Sequence, residues 1–331
     1  MRYSACSAVL SGALQCECVE LLKRIITMNA FPGHDKAAHS PERCPACGGA
    51  GTYLLSATDR NRKTTRELFL YHSCSVCGLI YMQPQPLDMS SHYKGGYDPI
   101  PRDLEALREI AAREHFRCNP ILRHRPGGKF LELGPWRGVL CCQMKDAGFS
   151  VTAIEMDQSC VNFLRNTVGV EAIRSEDPVQ TMRGMQPGFD AIGAWHSLEH
   201  LPTPWLVIQE AARLLNPGGV LLLAMPNPES FEFRLMRSRW MHLDAPRHLY
   251  LFPIRSLVEV CGRHGLDLLE VTTADIFSDI QSRHAWHMLA RSYIPVKYVR
   301  GVAGSILYWL ARHRQRQEGR GSAYCAVFRR R

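Results

Sequence analysis

Three observations predict an α/β protein: a Rossmann-like open sheet with a small cysteine-held unit ahead of it. The first is the stretch Lys129-Phe-Leu-Glu-Leu-Gly-Pro-Trp-Arg-Gly138, where a short apolar run ends in two glycines. The second is a helical pattern over 139–147 leading to a further apolar run, Val151-Thr-Ala-Ile-Glu155. Together these read as a βαβ unit that closes on an acid. The third is a pair of C-x-x-C-G repeats, Cys44-Pro-Ala-Cys47-Gly and Cys74-Ser-Val-Cys77-Gly, upstream of that unit.

Length and composition bound the rest. The chain has 331 residues, which suits one large domain plus a small one, and its 46% hydrophobic content supports a packed core. A formal charge of +9 permits nucleic acid, an anionic membrane surface or an acidic substrate without choosing among them. Thirteen cysteines is an odd number. Apart from the two repeats they have no secreted-scaffold spacing, which points to a reducing cytoplasm. No stretch reaches the roughly 20 apolar residues of a membrane span. The start of the chain, with Ala8 to Leu14 as its apolar part, lacks a signal-peptide cleavage pattern. Residues 1–40 form a poorly patterned extension, and Met28 is an alternative translation start.

Residues 41–86 read as the cysteine-held unit. Each C-x-x-C-G turn aims two thiolates at one point, and two such turns complete a tetrahedral zinc site of Cys44, Cys47, Cys74 and Cys77. Thr52 to Ser56 and Leu68 to Tyr71 read as the short strands of a zinc ribbon. Four thiolates leave no open position for chemistry, so the metal's role would be structural. A proline-stiffened linker, Tyr81-Met-Gln-Pro-Gln-Pro86, opens a connecting region over 87–126. Within it, Tyr93 and Tyr97 flank two glycines, either as a packing turn or as a substrate wall. Residues 103–116 have one apolar face and read as an amphipathic helix.

The large domain is placed at 127–331. In the glycine turn, Gly134 and Gly138 let the backbone come close to a ligand, or simply turn the chain from strand to helix. Glu155, at a strand tip, can accept hydrogen bonds from ribose hydroxyls. Asp157 is a candidate helix N-cap. After a short third strand, Val170 to Ile173, Asp177 stands where a side chain could meet a ligand's base. Phe189 to Trp195 is the next strand and runs into His196-Ser-Leu-Glu-His200. Thr203 and Pro204 start a helix that Asn216-Pro-Gly-Gly219 ends, and Val220 to Met225 is a strand. Ligands of open α/β sheets lie at the carboxyl ends of strands, so Glu132–Gly138, Glu155, Trp195–His200 and Met225–Asn227 should converge on one crevice. Residues 228–252, rich in Arg, His and aromatics, read as an irregular insert. An apolar segment with a basic end, 285–317, either covers its own domain or docks on a membrane interface.

On these residues the chain resembles class I S-adenosylmethionine-dependent methyltransferases. More narrowly, it is similar to the bacterial subgroup with an N-terminal zinc ribbon. The matching segments are Leu131-Glu-Leu-Gly134 with Gly138, Val151 to Glu155, Phe189-Asp190 with Trp195 to His200, Leu214 to Gly219, Pro226-Asn227 and Pro246 to Phe252. The resemblance implies a seven-stranded sheet with an antiparallel last strand. It puts Glu132, Gly134 and Gly138 at the methionine part of S-adenosylmethionine and Glu155 at the ribose, with Trp195 beside them. The insert near 228–252 would cap the substrate. One departure is Trp136, which stands where the family has a middle glycine. The spacing G-x-x-x-G also disfavours a nicotinamide cofactor.

The expected activity is methyl transfer to an O, N or C nucleophile of a small molecule or a glycan or sugar-nucleotide precursor. His196, His200 and His248 are the candidate bases, since histidine suits proton removal near neutral pH. Two rivals are an RNA methyltransferase and a degenerate cofactor-binding protein. The first is disfavoured because few aromatics interleave with the ribbon's arginines for base stacking. The expected location is cytoplasmic, with peripheral membrane contact through 285–317 as a variant.

Overall fold

A computed structural model describes residues 43–93, 99–294 and 297–331. The N-terminal extension and Tyr97, one of the paired tyrosines, lie outside the described residues.

Strand-forming runs alternate with helices through the large domain. Its strands are β4 (Lys129–Leu133), β5 (Ser150–Glu155), β6 (Glu171–Arg174), β7 (Phe189–Trp195), β8 (Leu215–Pro226), β10 (Leu266–Thr272) and β11 (Ala323–Arg330). They form one sheet in the order β10-β11-β8-β7-β4-β5-β6. The pairs from β8 to β6 are parallel, while β11 runs antiparallel between β8 and β10. The seven strands and the antiparallel final strand agree with what the resemblance implies.

Both faces of the sheet are covered, as a parallel sheet requires. Strand β8 shows it most plainly: Leu221, Leu223 and Met225 point into one core and Val220, Leu222 and Ala224 into the other. That is the two-residue period of a strand buried on both sides. Helices α1 (Leu104–Arg113) and α2 (Val139–Asp146) cover the second core. Asp103 starts α1 by accepting the Ala106 amide, and Asp157 caps its own helix through Cys160. The apolar segment near 285–317 is two helices, α3 (Ile276–Tyr293) and α4 (Lys297–Gln315).

The smaller unit is a four-stranded antiparallel sheet, β1 (Gly51–Ala57), β2 (Phe69–Cys74), β3 (Ile80–Met82) and β9 (Tyr250–Leu251). Two readings change here. The linker expected from Tyr81 begins as strand β3, because Tyr81 and Met82 bury completely against β2. The insert is not wholly irregular either: it holds a short helix, Phe231–Met236, and β9 pairs with β3, so Tyr250 and Leu251 complete the N-terminal sheet.

A buried ion cluster ties the same two regions. The Arg247 guanidinium donates to both oxygens of Asp59 at 2.7 and 3.1 Å and to both oxygens of Asp244 at 2.8 and 2.9 Å. It also reaches the His92 carbonyl. Asp59 and Arg247 have no exposed side-chain surface. Burial works against ionisation of both carboxyls, yet the Arg247 bonds hold Asp59 far below the usual carboxylate range and Asp244 at about 2.

Candidate active site

The carboxyl ends of β4 and β7 face a crevice between the sheet, α1 and α3. Its cavity is about 570 Å³, lined by Phe116, Arg117, Trp136, Arg137, Phe277 and Ile280 among others. Glu132, the penultimate residue of β4, is buried and feels the charge of Arg117 in the cavity wall. Burial pushes its carboxyl up to about 7, against the Cys141 thiol and the charge of Arg117, and its Oε2 has no partner.

The glycine turn is shaped by its neighbours. Gly134 and Gly138 both have positive φ. A Cβ on Gly134 would meet the Ser197 side chain at 2.7 Å, and one on Gly138 would meet Leu164 at 2.6 Å. Both glycines are thus required by the protein's own packing as well as by the turn. Trp136 adopts a left-handed conformation (φ 49°) where a glycine was expected, with Arg137 over its indole. Its amide donates to Glu155 Oε2 at 2.9 Å.

Glu155 therefore ends β5 as a clamp on the turn. Its carboxylate also accepts the amides of Met156 at 2.8 Å and Asp157 at 2.9 Å. A carboxylate has about four acceptor positions, so roughly one remains for a ligand. Burial raises its carboxyl's pKa, and the three amides pull the other way. Asp177 is engaged differently: it is exposed and accepts the Gln180 amide as an N-cap. Asn227, at the end of β8, is buried and donates to the carbonyls of Gly319 and Gly321.

Trp195 closes β7 among Phe116 and Phe277, with Arg117 over its ring at 5.1 Å. Its indole N–H is buried and unpartnered. The next residue links this crevice to a second group of side chains. His196 has φ 51° and its ring rests 5.0 Å from that of Phe277, which lines the cavity. Its Nδ1 donates to Glu199 Oε1 at 3.0 Å, which leaves Nε2 as the lone-pair nitrogen, buried and unpartnered.

Glu199 is the centre of that second group. It is fully buried. Burial alone would raise its carboxyl, but the His196 hydrogen bond and the charges of His196, His248 and His200 hold it well below the usual range. His248 Nε2 stands 3.9 Å from the same Oε1, and its Nδ1 donates to the His242 carbonyl at 2.7 Å. His200 lies against His248 with ring centroids 4.6 Å apart. Its Nδ1 donates to the Arg247 carbonyl at 3.0 Å and lies 3.2 Å from the Tyr93 hydroxyl. Burial and His248 depress it to about 4. His196 and His248 thus meet one carboxylate oxygen, and His200 packs behind them on His248. Glu199 itself was read only as a neighbour of His200, and His242 was missed inside the insert.

The four cysteines of the ribbon also converge. Their sulfurs lie within 4.8 Å of one another, with Cys44 and Cys77 3.7 Å apart and Cys47 and Cys74 3.5 Å apart. Tetrahedral thiolates about 2.3 Å from zinc would be about 3.8 Å apart. Burial opposes the Cys74 thiolate, but the amides of Cys77 and Val76 bring its thiol down to about 7.

The unpartnered Glu132, Trp195 and His196 atoms and the open acceptor on Glu155 fit a polar ligand at the carboxyl edge. Together with the strand order they define a class I S-adenosylmethionine-dependent methyltransferase. The family described as "methyltransferase domain" matches residues 104–271, and the chain belongs to it. The protein is an enzyme. Ubiquinone biosynthesis O-methyltransferase of Xanthomonas campestris pv. campestris is 34% identical over 128 residues, covering 37% of this chain and 54% of that protein. The Bordetella pertussis protein of the same name is 30% identical over 127 residues, with coverage of 37% and 53%. The chain thus spans about half the length of the curated relatives it matches. Among solved structures, a SAM dependent methyltransferase from Archaeoglobus fulgidus aligns with a TM-score of 0.47 at 14% identity, over 68% of this chain and 94% of that one. Geranyl diphosphate methyltransferase aligns at 0.44 and 17%, over 68% and 78%.

Proposed function

We propose that the enzyme methylates a hydroxyl of a small-molecule acceptor, with His196 as the base. The observation that carries this reading is the His196–Glu199 pair. The carboxylate fixes the imidazole tautomer, and Nε2 is left as a buried acceptor beside the crevice. When bound, S-adenosylmethionine supplies an electrophilic methyl group on a sulfonium. Glu132, Gly134, Gly138, Glu155 and Trp195 would hold it. Its displacement needs a positioned, deprotonated nucleophile. His196 Nε2 takes the hydroxyl proton, and Glu199 stabilises the imidazolium that results. The aromatic lining of Phe116, Trp136 and Phe277 suits an acceptor that is flat and apolar. The Xanthomonas and Bordetella relatives are named as O-methyltransferases, which supports oxygen as the acceptor atom. A panel of catechols and other phenols, set against sugar nucleotides, tests this through formation of the demethylated cofactor. Turnover confined to amines or to carbon acids would overturn it.

Cofactor affinity gives a separate expectation. Glu155→Ala should weaken S-adenosylmethionine binding about 10- to 100-fold, since a hydrogen bond to a charged group is worth about 1.5–3 kcal/mol. Calorimetry showing equal affinity would remove Glu155 from the site.

The reading of the ribbon adds a structural zinc on Cys44, Cys47, Cys74 and Cys77, as in the subgroup the sequence resembles. Elemental analysis of freshly reduced protein should find about one zinc per chain. Cys47→Ser should lose the metal and open residues 43–82 to protease, because a sheet this small has little core without it. Metal-free protein with a protease-resistant ribbon would sink the assignment.

A further inference from the structure

We propose that helix α4 docks the enzyme on an anionic lipid surface. The helix has the sequence KYVRGVAGSILYWLARHRQ, with Lys297, Arg300, Arg312 and Arg314 and no acidic residue along its length. Its inner face is fixed: Ala303, Leu307 and Ala311 are buried. Gly304 lies so close to α3 that a Cβ there would meet the His287 Cα at 2.9 Å. The outer face is therefore a settled surface, not one waiting to fold back on the domain.

That outer face is apolar where a solvated helix would be charged. Trp309 is 71% exposed and Leu310 50%, with Val299 also exposed and Val302 and Ile306 half-buried beside them. Helical spacing puts these five on one side of α4, with Arg312 at its edge and His313 in line with them at the C-terminal end. An exposed Trp among aliphatics, bordered by cations, has the composition of an interfacial helix. Charge decides the occupant. An all-cationic helix on a chain of net charge +9 is drawn to anionic headgroups and repelled by a second copy of itself. No helix among the described residues is long and apolar enough to cross a membrane, so the contact is peripheral.

The position matters for access to the crevice. Helix α4 packs on α3, and α3 supplies Phe277, Ile280 and Gln281 to the cavity wall. Docking through α4 would bring that wall close to the lipid surface, where an amphipathic acceptor is concentrated.

Sedimentation of the full chain with vesicles tests the proposal. Vesicles of equal phosphatidylcholine and phosphatidylglycerol should bind it, and pure phosphatidylcholine should bind it at least tenfold more weakly. Raising the salt from low to about 0.5 M should weaken the anionic binding, since screening shortens the reach of the cations. Trp309→Ser with Leu310→Ser should lower affinity at least tenfold, while cofactor affinity stays at the wild-type value. Arg312→Gln is a second variant, which should weaken anionic binding and leave the weak phosphatidylcholine binding unchanged. Unchanged vesicle binding in the Ser pair overturns the proposal. So does light scattering that shows a dimer which the Ser pair converts to monomer, since the face would then bind a second copy.

Discussion

Replacing Arg247 by Ala should cost about 3–5 kcal/mol of stability, the range for breaking a buried ion pair. The loss comes mainly from the two carboxylates the substitution strands. Asp59 is completely buried and Asp244 half-buried, and both would lose the guanidinium that keeps them ionised. Lysine should not rescue the change, because the fork of five donors serves two carboxylates and a carbonyl at once and an ammonium cannot. Replacing Arg247 and both aspartates with apolar residues of similar volume should recover much of the loss. The pH dependence gives an independent check. In the wild type both carboxyls are depressed, so their contribution is present above the unfolded value near 3.9 and fades only as pH falls toward 2. In Arg247→Ala the stranded carboxyls are raised instead, and they penalise the fold most at neutral pH. The stability gap measured in urea should therefore be widest near pH 7 and narrow toward pH 4. A gap below about 1 kcal/mol at pH 7 would show that the cluster does not hold the ribbon to the insert.

This cluster marks where sequence reading stops. The βαβ unit and the C-x-x-C-G turns are local patterns, with spacing set by strand pleat, helix pitch or ligand geometry. The continuous apolar run of β8 is the composition of a strand buried on both faces. Each was legible for that reason. The bond between Asp59 and Arg247 joins residues 188 positions apart, and no period or motif announces it. Strand β9 is two residues long, too short to show alternation, and it is a strand only because β3 is beside it. Trp136 was legible as an anomaly but not as a solution. The turn keeps its left-handed geometry without glycine, and the Trp136 amide still reaches Glu155.

The histidines were legible as a group and not as an arrangement. Their residue types and their place after β7 pointed to proton transfer. Glu199 stood out only as the neighbour of His200, because nothing in Leu198-Glu-His200 shows that its side chain turns inward. The insert was needed to bury it: Leu249 donates its amide to the Glu199 carbonyl, and His248 arrives beside the carboxylate from the same segment. A carboxylate so enclosed needs a hydrogen-bond partner, and His196 Nδ1 supplies one at 3.0 Å.

His196→Asn should lower turnover about 10²- to 10⁴-fold, the usual contribution of a positioned general base, and leave cofactor affinity nearly unchanged. Asparagine keeps a hydrogen-bonding group near Glu199, so the strained backbone at φ 51° and the buried carboxylate retain a partner. What it lacks is a nitrogen lone pair able to take a proton. Two further measurements separate a base from a brace. In the wild type, activity should depend on the protonation of one general base, and the variant should lose that dependence on pH. Glu199→Gln should reduce turnover less than His196→Asn, because it disturbs the tautomer and the imidazolium's stabilisation while leaving the base in place. A merely structural His196 would instead show reduced thermal stability with an unaltered pH profile. Turnover at the wild-type rate in His196→Asn would move the base to His248, whose Nε2 already stands 3.9 Å from the same carboxylate oxygen.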